Sequence, residues 1–289
     1  MVPTPDAAAV ATARETPRAV RRGRIRLPFD PLGVLGLVLL VGGWYLLAQA
    51  TSPTTVPAPQ GVVQRILDEA TTSYQMQSFG LQRQGFLGNL LYTTTTVLVA
   101  VVVGAVVGVL IGLLSARALR FRTGLDPIVL VGGTVPVLIA APFFLIWFGT
   151  DRWVAYLIVG LYSAFTLIVA AQRAAENVDP VFEQNARTLG ADGRTILRTV
   201  LLPAVLPEVL GGVRIALAAA WGLAAIAELL GMPAGLGKVV EAYATTTDTE
   251  AIFAAVLLLG VVAVVVDVLV VRLMRRTFRW RDSAERSTS

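Results

Sequence analysis

The stretch YTTTTVLVAVVVGAVVGVLIGLL, residues 92–114, decides the fold class of this 289-residue chain. It carries no charged side chain, and a helix needs about 20 such residues to cross the hydrocarbon core of a bilayer. The whole chain shares this character, with 55% apolar residues, 15% charged residues and a mean hydropathy of +0.71. We therefore predict an all-α, polytopic membrane protein.

Similar apolar stretches occur on both sides of residues 92–114. Pro31 opens the first of them. In the third, Asp126 is a candidate N-cap and Pro127 a candidate first helical residue. The six predicted spans are residues 32–50, 92–114, 127–149, 153–171, 211–231 and 251–271.

The Lys and Arg residues indicate the orientation, because cytoplasmic loops carry an excess of them. If the N-terminus is cytoplasmic, all 24 fall on the cytoplasmic side except Arg65, Arg83, Arg152 and Lys238. Shifting the topology by one span would invert this bias. We therefore expect both termini inside the cell, with residues 51–91 as an external loop and residues 172–210 as an internal loop.

The chain divides into three predicted regions. Residues 1–30 are rich in Ala, Pro, Thr and Arg and should form a disordered, basic cytoplasmic tail. The apolar run after this tail is long and lacks a clear small-residue cleavage site, so we expect the first span to be retained. Residues 31–280 form the transmembrane domain, and residues 281–289 form a C-terminal cytoplasmic tail.

Composition limits the chemistry of the protein. The chain has no cysteine and no histidine, which disfavours disulfides, thiol nucleophiles and zinc or haem sites. We expect no catalytic residue, metal site or cofactor. Nothing fits the nucleotide-binding pattern G-x-x-x-x-G-K-[ST], so ATP-driven transport would need an ATPase on a separate chain. The pI near 10.1 does not predict a nucleic-acid partner, because the basic residues follow the membrane pattern.

The internal loop contains the most informative local pattern, ENVDPVFEQNARTLGADGRTILRTVLLPAVLP, residues 176–207. Pro180 can begin a helix that Gly190 ends, because glycine adopts the left-handed conformation at a helix C-terminus. Asp192 can cap a second short helix, and Pro203 and Pro207 limit or kink the chain beyond it. The pattern predicts a helix–turn–helix outside the membrane between spans 4 and 5. Its length indicates a docking surface rather than a simple connection.

This pattern resembles the permease subunits of ATP-binding-cassette (ABC) importers. Their signature is Glu-Ala-Ala, three residues, Gly, nine residues and Ile-x-Leu-Pro. Gly190 is followed at this spacing by Val200-Leu201-Leu202-Pro203, whereas Gln184-Asn185-Ala186 replaces Glu-Ala-Ala and Glu183 lies one position earlier. The spacing and the glycine turn match, and the Glu carboxylate of the signature does not.

The resemblance extends over roughly residues 55–280. Residues 136–149, 227–231 and 235–237 are similar to the sulfonate, nitrate and taurine branch, as are the closing residues Asp267, Arg272 and 279–281. It implies a permease of the bacterial inner membrane that forms the path for a small anion such as a sulfonate or nitrate. It also implies a cytoplasmic ATP-binding subunit, an extracytoplasmic substrate-binding protein and a homodimer in membrane lipid. Related branches carry neutral or cationic vitamins and precursors, so the substrate stays open.

In this family the glycine-turn loop forms a coupling helix that sits in a groove of the ATPase. Small residues would let the two backbones approach, and the arginines could pair with acidic groups of the partner. The coupling residues expected from the resemblance are Gln184, Asn185, Ala186, Arg187, Thr188, Leu189, Gly190, Ala191, Arg194 and Pro203.

Three features within the spans have two interpretations each. Gly104, Gly108 and Gly112 form a small-xxx-small stripe that permits close helix packing, either within the subunit or between subunits. Pro136 and Pro142 either line the translocation path or only kink the third span. Glu228, near the outer end of the fifth span, either lines the path or makes a helix–helix hydrogen bond.

The rival hypothesis is an ATP-independent secondary transporter or channel. It predicts acidic ion sites at mid-membrane and an internal repeat. Glu228 and Asp267 map near the ends of their spans, and the two halves of the chain show no clear repeat. A membrane-embedded enzyme is disfavoured because no acid–base constellation is present. The importer permease is therefore the favoured hypothesis.

Overall fold

The computed structural model describes residues 31–277, and the regular structure in this part of the chain is helical throughout. Five helical stretches there are long and apolar enough to cross a membrane, and a bent pair, α5 and α6, provides a sixth. The described helices are α1 (Pro31–Ala50), α2 (Pro59–Asp68), α3 (Tyr74–Ser78), α4 (Phe86–Arg117), α5 (Leu119–Thr134), α6 (Val137–Phe148), α7 (Arg152–Glu176), α8 (Pro180–Thr188), α9 (Gly193–Ile196), α10 (Leu202–Leu229), α11 (Leu236–Ala244) and α12 (Thr249–Thr277).

The all-α, polytopic class is confirmed, and the N-in, C-in orientation stays a prediction. The predicted tails, residues 1–30 and 281–289, lie outside the described residues. The described residues fall into two compact units that divide between Gly43 and Trp44. The first unit is an apolar helical segment with exposed Leu and Val side chains, as expected for a helix that faces lipid.

In the second unit, the external loop contains two helices instead of an open connection. The predicted amphipathic segment is α2, which buries Val62 and exposes Leu67. Val62 joins Met76 of α3, Phe86 of α4 and Tyr243 of α11 in one apolar core. These contacts fix the loop on the ends of the long helices.

Helices α4, α7 and α10 form the centre of the molecule. The predicted second and fourth spans lie within α4 and α7, and both helices continue beyond the predicted ends. Val97 and Ala100 of α4 pack with Val159 of α7 and Trp221 of α10 in a buried core. The described part of the sixth span, α12, likewise extends the predicted residues 251–271 at both ends.

The third span is not the single helix predicted for residues 127–149. Helix α5 begins upstream, so Asp126 and Pro127 lie inside it and do not start it. The helix is then interrupted at Val135 and Pro136, and the axes of residues 120–134 and 139–148 meet at 103°. Pro136 has no N–H and disfavours the helical conformation in the preceding residue, which explains the extended Val135 (φ −66°, ψ 119°).

The fifth span begins well before residue 211. Helices α9 and α10 join through one π-helical turn, Leu197–Leu201, and form a continuous stretch over Gly193–Leu229. Pro203 lies in the first turn of α10, and Pro207 lies inside this helix. The wider π turn accommodates the missing N–H of Pro203, so this proline neither ends the helix nor creates a separate element.

Candidate functional site

The internal loop begins with α8, whose N-terminus is capped locally. The Asp179 carboxylate accepts a hydrogen bond from the Val181 N–H at 2.9 Å, and Pro180 occupies the first helical position. Proline fits there because the first-turn N–H groups have no partner within the helix.

Gly190 ends α8 in the left-handed conformation, with φ 85°. The Gly190 N–H donates to the Arg187 carbonyl at 2.9 Å, and the Ala191 N–H donates to the Ala186 carbonyl at 3.0 Å. These two bonds are those of a Schellman motif, which satisfies carbonyls that the helix end leaves free. The predicted glycine turn is present.

Asp192 starts the second short helix of the loop. Its carboxylate accepts a hydrogen bond from the Thr195 N–H at 2.9 Å, and hydrogen bonding to Thr195 lowers the pKa of this exposed carboxyl. The helix then turns inward, because Ile196 is buried. The predicted helix–turn–helix is therefore built by its own local caps.

Helix α8 buries none of its residues. Three large apolar side chains on this segment are exposed: Leu189 by 88%, Phe182 by 61% and Val181 by 52%. Exposed apolar groups at a protein surface outside lipid are typical of a contact site for another protein. Of the predicted coupling residues, Ala186 and Ala191 are partly exposed, and the exposed ones are Gln184, Asn185, Arg187, Thr188, Leu189, Gly190, Arg194 and Pro203.

Arg117, at the end of α4, holds both helices of the loop. Its guanidinium lies 3.7 Å from the Glu183 carboxylate and donates to the Gly193 carbonyl at 3.4 Å. Glu183, the acidic residue nearest to the missing Glu of the signature, is therefore used within the subunit. Sequence reasoning treated Arg117 only as an orientation signal and missed this contact.

The glycine stripe of α4 faces α7 of the same chain. A Cβ atom would lie 2.5 Å from the Gly160 carbonyl oxygen at Gly104 and 2.5 Å from the Ala164 carbonyl oxygen at Gly108. At Gly112 it would lie 2.6 Å from the Ile168 carbonyl oxygen. The two backbones approach more closely than any residue with a side chain would allow.

Glu228 is fully buried between α10, α4 and α11. Its Oε2 atom accepts hydrogen bonds from the Thr93 hydroxyl at 2.9 Å and from the Gly237 N–H at 3.0 Å. Within the described residues its Oε1 atom has no partner. The side chain serves as an acceptor for the first turn of α11, where the N–H groups of a helix need one.

Two further residues of α4 complete this cap, and sequence reasoning missed both. The Asn89 side-chain oxygen accepts from the Gly235 N–H at 2.8 Å, and the Thr93 hydroxyl accepts from the Leu236 N–H at 2.9 Å. Both side chains are buried. The structure therefore brings Glu228 together with Asn89 and Thr93, and not with the coupling loop.

The two predicted path prolines lie in different places. Pro136 lines a cleft of about 580 Å³ between the α5–α6 break, α7 and α10. Pro142 lies inside α6, is exposed and is not among the residues that line this cleft. Farther along α10, Arg214 and Asp267 of α12 form a two-bond ion pair, with both N–O distances 2.9 Å.

Residues 104–279 match the family described as the binding-protein-dependent transport system inner membrane component. The chain belongs to this family. The taurine transport permease protein TauC of Escherichia coli K12 is 28% identical over 88% of this chain and 90% of its own length. The putative aliphatic sulfonates transport permease protein SsuC of Bacillus subtilis 168 is 28% identical over 94% of this chain and 93% of its own.

A solved structure shows the same permease fold. The inward-facing MetNI methionine ABC transporter contains a chain that aligns with a TM-score of 0.60. It is 21% identical and covers 71% of this permease and 99% of that chain. At this identity the likeness concerns the fold alone.

The family assignment decides between the two hypotheses for function. The permease is the membrane subunit of an ATP-driven importer, a multi-pass inner-membrane protein whose family works with an ATPase and a binding protein. The ATP-independent carrier or channel is the weaker hypothesis. Members of this family are transport subunits, in agreement with the predicted role of this chain.

Proposed function

We propose that this permease couples to its ATPase through the exposed surface of α8 and imports a small organic anion of the sulfonate type. The observation that carries the first part is the capped, protruding helix with its exposed apolar residues Phe182 and Leu189. A short helix without buried side chains gains little from the rest of the chain. Burial of its apolar side chains against a partner surface would stabilise the helix.

The docking core consists of the Schellman turn and the residues next to it. No atom of the chain lies within 4 Å of the position of a Cβ at Gly190, so the positive φ and not packing within the chain requires glycine here, and the open space leaves room for a partner. Arg187 and Arg194 are exposed and lie beside this turn, where they can pair with acidic residues of the ATPase. Gln184 and Asn185 would contribute uncharged hydrogen bonds in place of the usual carboxylate.

The assembly that we infer has two copies of this permease around a central path and two copies of the ATPase below them. A binding protein delivers the cargo from outside. When ATP closes the ATPase dimer, the two α8 helices move together and the spans reorient from inward-open to outward-open. Each step requires that the nucleotide or the partner binds one of the two states more tightly.

The substrate class rests on the relatives TauC and SsuC, which match nearly the whole chain. They are named as permeases for taurine and for aliphatic sulfonates. Both cargoes carry a sulfonate head on a short chain. We infer that this permease carries an anion of the same kind, with the binding protein setting the final choice.

The experiment is a pull-down of the tagged permease from detergent-solubilised membranes that also contain its ATPase. We expect the ATPase to be recovered with wild type and lost with Gly190→Trp and with Leu189→Asp. Gly190→Asn is the matched control, because asparagine tolerates a positive φ better than other side chains. It should retain the ATPase.

Because Leu189 is 88% exposed, its substitution should leave insertion and folding of the permease unchanged. Recovery of the ATPase with both Gly190→Trp and Leu189→Asp would contradict docking on α8. Uptake of the substrate into liposomes by wild type without any ATPase would contradict ATP coupling itself.

A further inference from the structure

The cleft beside Pro136 contains a feature that the coupling loop does not explain. One wall is the break between α5 and α6, and the opposite wall is a single face of α7. Tyr162, Thr166, Val169 and Arg173 line that face at intervals of three or four residues, as a helix requires. The cleft therefore runs for about three turns along α7.

The broken backbone indicates that this cleft holds water. Pro136 has no N–H to donate to the Gly132 carbonyl, and both residues line the cleft. At membrane depth, backbone outside a regular helix is tolerated where it is buried in protein or lines a water-filled cavity, and not where it faces lipid. A break between two helices that lines a cleft of about 580 Å³ fits the second case.

Most hydroxyl groups of the cleft already donate a hydrogen bond to a backbone carbonyl of their own helix. The Thr166 hydroxyl donates to the Tyr162 carbonyl at 2.9 Å, and the Thr134 hydroxyl donates to the Leu130 carbonyl at 2.8 Å. Two donors remain, the Arg173 guanidinium and the Tyr162 hydroxyl. Among residues 31–277 neither of these groups has a hydrogen-bond acceptor.

The acidic residues near Arg173 are occupied by another cation. Arg122 pairs with Asp126 at 3.3 Å and also pairs with Glu176. Both carboxylates line an adjoining cleft that Arg173 also borders, and neither forms an ion pair with Arg173. Arg173 is thus a positive charge without a partner in the described structure, at the end of a largely apolar cleft.

We propose that this cleft binds the transported anion inside the permease, with Arg173 and Tyr162 contacting its oxyanion head. The apolar wall formed by Val129, Phe165 and Ile215 would take the carbon chain. An oxyanion on a short apolar chain, such as an alkanesulfonate, matches both ends of the cleft. The inference rests on the proposed function for the choice of an anionic cargo.

The absence of cysteine makes a direct test simple, because Thr166→Cys would carry the only thiol of the chain. The tagged permease in membrane vesicles is treated with an anionic methanethiosulfonate reagent and with a cationic one of similar size. We expect both reagents to react, and we expect an alkanesulfonate to slow the reaction. Adding Arg173→Gln should lower the anionic-to-cationic rate ratio about fivefold, which corresponds to roughly 1 kcal/mol, the upper value for an exposed ion pair.

Two control variants complete the design. Thr166→Cys with Arg173→Lys keeps the charge and should keep the rate ratio. Val264→Cys, on the exposed face of α12, should react slowly with both charged reagents because it faces lipid.

A thiol at residue 166 that resists both reagents would show a lipid-filled cleft and overturn the proposal. A rate ratio unchanged by Arg173→Gln would also overturn it, as would a failure of the alkanesulfonate to protect. The assay needs neither ATPase nor binding protein. A failure here is therefore distinguishable from a failure of docking on α8.

Discussion

Replacing Gly108 by alanine tests the close contact between α4 and α7. The added Cβ atom would lie 2.5 Å from the Ala164 carbonyl oxygen and 3.0 Å from the Ala164 Cα atom. An ordinary contact begins at 3.4 Å, so α4 and α7 must separate locally by about 0.9 Å at this point. Overpacking of this kind costs about 1–3 kcal/mol.

The control variant is Gly260→Ala in the middle of α12. No atom lies within 4 Å of the position of its Cβ, so the substitution creates no contact. Both variants gain the same helix propensity, about 1 kcal/mol for glycine to alanine. The difference between them therefore isolates the overlap with α7.

The measurement is the apparent unfolding temperature of the two purified variants in detergent, scanned at one rate. At about 2–4 °C per kcal/mol, we expect Gly108→Ala to unfold about 2–12 °C below Gly260→Ala. Equal temperatures would refute the reasoning that the stripe packs α4 on α7. A variant with unchanged temperature and a weakened dimer would favour the alternative, a contact between subunits.

Two further predictions concern the caps. Glu228→Ala should leave the Gly237 N–H without an acceptor, at a cost of about 1–3 kcal/mol. The control Glu228→Gln keeps an acceptor oxygen. Hydrogen exchange at the start of α11 should therefore be faster only in the alanine variant. Asp192→Ala should weaken the N-terminus of α9 and reduce ATPase recovery, whereas Asp192→Asn, which keeps an acceptor oxygen, should retain more of the ATPase. Because the pKa of Asp192 is lowered in the fold, the stabilisation by its carboxylate is present at neutral pH and is lost only as the pH falls through that lowered value. Unchanged ATPase recovery at pH 7 with the alanine variant would contradict this role of Asp192.

The apolar spans were predictable because lipid imposes one rule on every long uncharged stretch. The break in the third span was not, since prolines of the same kind behave differently along the chain. Pro127, Pro142 and Pro207 lie inside helices, whereas Pro136 separates two of them. A proline by itself therefore does not decide between a continuous helix and a break.

The candidate site likewise combines features that the sequence predicts with features that only the fold reveals. The turn at Gly190 was predictable because its bonds join residues at most five positions apart. The cap of α11 was not, because Glu228 meets Thr93 across 135 positions and Asn89 meets Gly235 across 146. The sequence identifies Glu228 as an acidic residue within a span, but only the structure reveals its hydrogen-bond partners.

Helix α4 connects the two ends of the permease. Asn89 and Thr93 hold α11 at its start, and Arg117 holds the loop of α8 at its end. The glycine stripe packs α4 on α7 with backbone contacts too close for any side chain. If the ATPase moves α8 as proposed, the contacts of Arg117, α4 and α11 provide a continuous route for the displacement, and α7 carries one wall of the cleft.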